Sequence, residues 1–484
     1  MPLFDAATTQ HLSAPFWFVQ FFKTLGFALH TIPVGTILIG LPFALLLWIF
    51  GGVNSKRLAQ RLFQQIPIFI AFGINFGIVP LLFVQLAYSK AFYTSTILLA
   101  WHWIAVLPLL LVAYYCGYLC SSGAKKERIW RSAFFALISA VCFVGVGLVF
   151  TSVWTFFERP YEWERVLNDS SHSFSLKNLG ELTLGGFGSA SGLGIFWKDP
   201  TILLRFGGFF GLSFFALATW IVFDAYFVYR GPRPLTREEA ARLRESGQEE
   251  ENVDESGKKI KRRKPRKPIQ ENPETFPFWA SSVACVLLLL GLATTIPTLG
   301  KYLLISAQSL KDEEFWNDTL WNALLIGMCA SAALPALFLM IAKLRKMSGR
   351  TLAVLMTLCE FLLVGCYAVL RQILQNARLH GFYDPSAFAD ASAVQWTPIF
   401  AFLGVFIAAF FLIVILLMRM AATDGRGGKK SDKKRKPRKA TEAPAEPKDS
   451  GNVKKPKGTP EPTREQPPKS VSTHPTGKNN IRRL

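Results

Sequence analysis

The chain is short of the residues that most enzymatic and cofactor chemistry needs. It has 7 cysteines in 484 residues, at 116, 120, 142, 285, 329, 359 and 366, and all lie in apolar runs. None forms a C-x-x-C or C-x-x-C-H pattern, so a covalently attached c-type haem and a disulfide framework are both excluded as expectations. Histidine is as scarce, with 6 copies. No serine and histidine stand in a recognisable triad setting, and no metal-hydrolase pattern occurs, so hydrolase chemistry is not expected. The glycine-rich "LGGFGSASGLG" from Leu184 has no following Lys-Ser/Thr and no preceding strand pattern, so it does not read as a phosphate loop. No internal repeat is visible, which weakens the case for a transporter built from inverted halves. The N-terminal region lacks a basic segment and a small-residue cleavage site, so the first apolar run reads as a retained span.

Acidic residues are also scarce: 33 against 54 lysines and arginines, for a formal net charge of +21. Such a charge suits nucleic acid, but its placement argues against that partner. Residues 421–484 hold 18 basic and 7 acidic side chains, and residues 230–274 hold 13 and 10. The charge therefore flanks apolar segments instead of lying among aromatic binding positions.

What the chain has in abundance is apolar length. It is 51% hydrophobic, with 42 Phe and 13 Trp, a composition normal for a polytopic membrane protein. A span needs roughly 20 apolar residues. Nine segments qualify: 26–50, 65–88, 92–118, 132–157, 202–228, 277–304, 319–342, 351–377 and 396–420. The aromatic stretch "PFWFVQFFKTLGF" before the first of them, with Lys23, is expected to lie at the membrane interface. The expected fold class is all-α integral membrane.

Loop charge sets the expected orientation. The first, third, fifth and seventh loops and the tail are basic (Lys56, Arg57, Arg61; Lys125, Lys126, Arg128, Arg131; 230–274; Lys343, Arg345, Lys346, Arg350). The even loops are short, neutral or acidic. By the positive-inside rule the N-terminus is outside and the C-terminus cytoplasmic. The organisation expected is five spans in 1–229 with an external loop at 159–200, a cytoplasmic basic linker at 230–276, four spans in 277–420, and a disordered basic tail at 421–484. Within the linker, the stretch from Thr236 has a capping-box start and suits a short exposed helix. The tail is rich in Lys, Pro, Glu and Thr, cannot bury a core, and suits anionic lipid.

Polar groups inside spans are candidate functional sites, because an unpaired charge in a bilayer costs at least ~2.5 kcal/mol. His30 and His102 are the two histidines in spans, both expected in the outer half. Two imidazoles on separate helices can be the axial ligands of a b-type haem. Each can equally be an inter-helix hydrogen-bonding group or part of a proton relay. In the eighth span Glu360, Arg371 and Arg378 are spaced 11 and 7 apart. At 100° per residue those offsets return to within about 20° of one direction, so the three share a stripe. It suits a quinone head group, a haem propionate or an anion. It also suits inter-helix ion pairs, for example with Asp224 or Glu158. In the second span Gly73 and Gly77 have G-x-x-x-G spacing around Asn75, which predicts close helix packing.

The stretches "LGFALHTIPVGTILIGL", "NFGIVPLLFVQLAYSKAFYTSTILLAWHW" and "VLRQILQNARLHGFYDP" resemble a poorly characterised bacterial family of integral membrane proteins associated with multihaem cytochrome c systems in anaerobic respiration. The resemblance covers the first three spans and part of the eighth. It implies a bacterial inner-membrane partner of periplasmic cytochrome c or of other respiratory subunits, linking them to the quinone pool. With the residue reading, the expected function is a membrane subunit of a respiratory electron-transfer complex. In that role His30 and His102 would ligate haem, while Glu360 and Arg371 would contact quinone or propionate. The alternatives are a transporter or permease with Glu360, Arg371 and Asn75 along its path, and a cofactor-free scaffold for a cytochrome complex. The orientation is tested by reporter fusions. Alkaline phosphatase fused after residue 428 should be inactive and a fluorescent protein there bright, and the opposite pattern would invert every depth assignment.

Overall fold

The structure, a computed structural model, describes residues 11–126, 128–163, 199–229, 275–310, 312–345 and 347–423. Most of the expected external loop, the linker and almost all of the tail lie outside the described residues.

Among the described residues there are eleven α-helices and no strand: α1 (Phe16–Phe50), α2 (Val53–Ala87), α3 (Ser89–Leu98), α4 (Ala100–Lys125), α5 (Ile129–Phe157), α6 (Pro200–Phe223), α7 (Thr275–Leu310), α8 (Glu313–Asn317), α9 (Thr319–Arg345), α10 (Gly349–Leu379) and α11 (Trp396–Thr423). A π-helical turn, Asp224–Val228, extends α6. Nine of the helices (all but α3 and α8) are long and apolar enough to cross a membrane. Large apolar side chains remain exposed along their outer faces, including Leu107, Ile296, Ile326 and Val405. In a bilayer those faces meet acyl chains, so the exposure carries no penalty.

Two boundaries differ from the sequence reading. The run expected as one span at 92–118 is broken at Leu99, and the spanning helix begins at Ala100. Hydroxyls explain part of the break. Ser95 and Thr96 both donate to the Phe92 carbonyl, at 2.9 Å each, just before the chain turns. Such back-bonding competes with the regular ladder. His102 consequently sits in the first turn of α4, not ten residues into a span. The aromatic stretch around Lys23 extends the first span, being continuous with α1. Its rings find partners: Phe22 meets Phe402 at 5.1 Å and Phe406 at 5.3 Å between centroids, and Phe18 meets Phe83 at 5.9 Å. These contacts also seat α11, of whose most apolar stretch only 6% is buried.

The most enclosed helices are α1, α6 and α10. α1 packs on α2, α5, α6 and α10, and α6 packs on α7. Small residues set the close approaches, as expected where dispersion and backbone proximity drive helix association. A Cβ added at Gly77 of α2 would stand 2.7 Å from the His30 ring of α1. One added at Gly35 of α1 would stand 3.0 Å from the Ser213 hydroxyl of α6. Gly77→Leu is therefore expected to destabilise the bundle by about 1–3 kcal/mol through overpacking. Gly365→Ala, where the added Cβ meets nothing within 4 Å, should be neutral or slightly stabilising. Thermal unfolding of both variants in detergent checks this, and equal midpoints would refute the packing assignment.

Candidate functional site

The helices alternate in direction, and polar residues gather at both ends of the bundle. At one end Asp224, in the π turn after α6, accepts from Arg61 Nε at 2.7 Å and Nη2 at 2.8 Å and from Gln65 Nε2 at 2.6 Å. Gln65 Oε1 in turn accepts from Trp220 Nε1 at 2.8 Å. One carboxylate faces one guanidinium, so this cluster fastens α2 to α6 with its charges matched.

The opposite end is built differently. Glu158, just past α5 and 2% exposed, takes two arginines. Arg205 of α6 grips it with both terminal nitrogens, Nη1 to Oε2 at 2.9 Å and Nη2 to Oε1 at 2.8 Å. Arg378 of α10 donates Nη1 to Oε2 at 2.7 Å. Arg378 also donates to the Tyr302 hydroxyl at 2.9 Å and to Ser306 Oγ at 2.6 Å, both on α7. A single carboxylate thus joins α5, α6, α7 and α10. Arg159 beside it pairs with Asp199, the residue that caps α6 by accepting from Thr201 N at 2.8 Å. Burial alone would raise the Glu158 carboxyl, but Arg205 and Arg378 outweigh it and hold the group down to about 2.

Two further cations lie at this end. Arg371, two turns before Arg378 on α10, has its guanidinium 4.2 Å from the Phe27 ring centroid and 4.8 Å from that of Trp154. Among the described residues it makes no hydrogen bond and no ion pair. Lys23 of α1 is 3% exposed, and its Nζ stands 4.1 Å from the Tyr88 ring centroid without a hydrogen-bond partner. Cation–π contact offsets part of the desolvation of such groups but leaves their charge in place. Tyr88 itself is tied by its hydroxyl to Gln20 of α1 (2.8 Å) and to Gln372 (3.2 Å) and Asn376 (2.5 Å) of α10.

Next to Arg371 lies a cavity of about 30 Å³, lined in part by Arg205, Tyr302, Tyr367, Trp321 and Met328. The Tyr367 hydroxyl makes no hydrogen bond among the described residues. Two arginines and two tyrosines thus line a small space walled mostly by apolar side chains.

The structure brings Arg371 and Arg378 of the expected stripe into this cluster and leaves Glu360 outside it. Glu360 is buried about 16 Å further along α10, and its Oε1 has no hydrogen-bond partner. His30 lies against α2, where its Nδ1 is 2.7 Å from the Gly73 carbonyl oxygen and its ring covers Gly77. His102 is half-buried at the start of α4, with Nδ1 unpartnered. No hydrogen bond joins the two histidines among the described residues. Gly73 and Gly77 form the α1-facing surface of α2. Asn75 is exposed on another face, its Nδ2 donating to the Ala71 carbonyl of its own helix at 2.8 Å. No group of three or more His, Cys, Asp or Glu side chains that could hold a metal ion occurs among the described residues.

Lys23, Tyr302 and Tyr367 are the site residues that sequence reasoning missed. Lys23 was visible as a basic residue in an apolar run. Two tyrosines among many span aromatics give no signal of their own. Comparison with known proteins adds nothing further: no protein-family model matches the chain, and no curated protein matches it.

Glu158→Gln leaves Arg205 and Arg378 buried with one neutral partner, and should cost about 3–5 kcal/mol of stability. The wild-type carboxyl titrates lower folded than unfolded, so its contribution is complete above its unfolded pKa of about 4.3 and fades as the pH falls toward 2. Acid unfolding in detergent should therefore show a loss between about pH 4 and 2 that the variant lacks. Superimposable acid profiles would contradict the pairing.

Proposed function

We propose that the chain is a membrane subunit of a respiratory electron-transfer complex. In this reading the cluster around Arg371 receives the head group of its redox partner, a quinone or a haem propionate. The observation that carries it is Arg371 itself: a guanidinium held between two aromatic rings, beside a small cavity, with no carboxylate partner among the described residues. A structural arginine in a bilayer would be expected to have a partner, as Arg61, Arg205 and Arg378 do. His30 fits the same reading as a haem ligand. A backbone carbonyl on Nδ1 orients the ring and favours the tautomer whose Nε2 lone pair is free, the usual second-sphere arrangement of a ligating histidine. The haem would supply one-electron chemistry; the chain's own residues would orient its edge and neutralise its propionates. The expected partners, periplasmic cytochrome c or other respiratory subunits at a bacterial inner membrane, belong to this proposal.

A transporter is the second reading, and Glu360 favours it. A buried carboxyl with an unpartnered oxygen, on the helix that carries Arg371, suits a proton-coupled path.

Full-length protein purified in mild detergent decides between them. The expected result is a b-type α-band in reduced-minus-oxidised visible spectra that is lost in His30→Ala, together with co-purifying quinone that falls severalfold in Arg371→Leu. A folded protein with neither band nor quinone would overturn the respiratory reading and leave the transporter.

A further inference from the structure

Among the described residues, the side chains gathered around Glu158 carry more positive than negative charge. Arg205, Arg371, Arg378 and Lys23 are four cations, and Glu158 is the one carboxylate among the described residues that they surround. Glu158 lies within electrostatic reach of Arg371 and Lys23 as well as of its two direct partners. At the other end the partly buried Arg61 does have a carboxylate partner, Asp224. Uncompensated charge in a low-dielectric interior is costly unless something of opposite sign is bound.

Arg371, Arg205, Tyr302 and Tyr367 line the cavity. Among the described residues Arg371 and the Tyr367 hydroxyl make no hydrogen bond, while Arg205 keeps its terminal nitrogens on Glu158. At about 30 Å³ the space takes roughly two water-sized groups. That suits the oxygens of one oxyanion. Guanidinium forks match carboxylate and phosphate oxygens in geometry as well as charge.

We propose that the cavity between α6, α7 and α10 is an oxyanion site, in which Arg371, Arg205 and Tyr367 hold a carboxylate or phosphate group. The anion completes the charge balance that Glu158 begins, and Lys23 contributes long-range attraction from α1. The inference rests on the part of the functional reading that seats a ligand head group beside Arg371. It is independent of whether that ligand is redox-active, and it selects an acidic head over a neutral one.

The test uses the full-length protein in detergent, with two probes. Sodium phosphate, with sodium chloride at matched ionic strength as the reference, reports on a free anion through the thermal unfolding midpoint. Phosphatidylglycerol against phosphatidylcholine, followed by native mass spectrometry, reports on a lipid-borne phosphate. Midpoint elevation by phosphate, or selective retention of phosphatidylglycerol, supports the site and identifies the source. In either arm Arg371→Gln should weaken the effect about tenfold or more, the loss of one charge-assisted fork. If that variant does not fold, Arg371→Lys keeps the charge without the fork and should bind measurably more weakly. Lys56→Gln, on the exposed start of α2 at the other end, should bind as the wild type does. No response to either probe, or an equal response in the Arg371 and Lys56 variants, would overturn the proposal. Anion binding in a protein without haem or quinone would sink the respiratory reading and leave the site standing; a haem or quinone protein indifferent to anions would do the reverse.

Discussion

Glu158 accepts hydrogen bonds from Arg205 and Arg378 at the end of a bundle whose surroundings are otherwise almost wholly apolar. The rest of that end is arranged around this contact. It fixes the end of α5 against the starts and ends of three other helices. It sets the height at which Tyr302 and Ser306 of α7 meet α10. Among the described residues it also leaves Arg371, on the same stripe of α10, without a carboxylate of its own. A membrane protein has little hydrophobic driving force between its helices, so contacts of this type and close-packed glycines carry a large share of the specificity. Here the glycines position α1 on α2 and α6, and the carboxylate positions α5, α6, α7 and α10.

The two ends of α6 show how the same chemistry serves different purposes. At the Asp224 end one acid meets one base, with an amide and an indole completing the shell. At the Glu158 end, among the described residues, the acid is outnumbered, a phenol and a guanidinium make no hydrogen bond, and a small cavity adjoins them. The difference lies in which side chains were placed around an otherwise similar pair, and it is the reason a ligand is sought at one end only.

Much of the architecture was legible in the chain. Nine apolar runs of spanning length marked the nine long helices, and Gly73 with Gly77 marked a close helix contact that His30 occupies. The angular spacing of Arg371 and Arg378 placed both on one face of α10. Other features needed three dimensions. Leu99 looks like any residue in an apolar run, and the break there follows from local hydroxyl bonding that hydropathy does not register. The partner of Lys23, the Tyr88 ring, comes from a distant segment and leaves no mark in the sequence around it. The cavity has no linear signature, since its lining comes from α6, α7, α9 and α10.

The central claim is that Glu158 and Arg378 are directly coupled inside the bundle. A double-mutant cycle on Glu158→Gln and Arg378→Gln, read by equilibrium unfolding in mixed micelles, measures that coupling most directly. The account predicts an interaction free energy of about 1–3 kcal/mol, with the double variant less destabilised than the sum of the single ones. Strict additivity would show that the two groups do not meet, and the arrangement of charges built on their contact would fall with it.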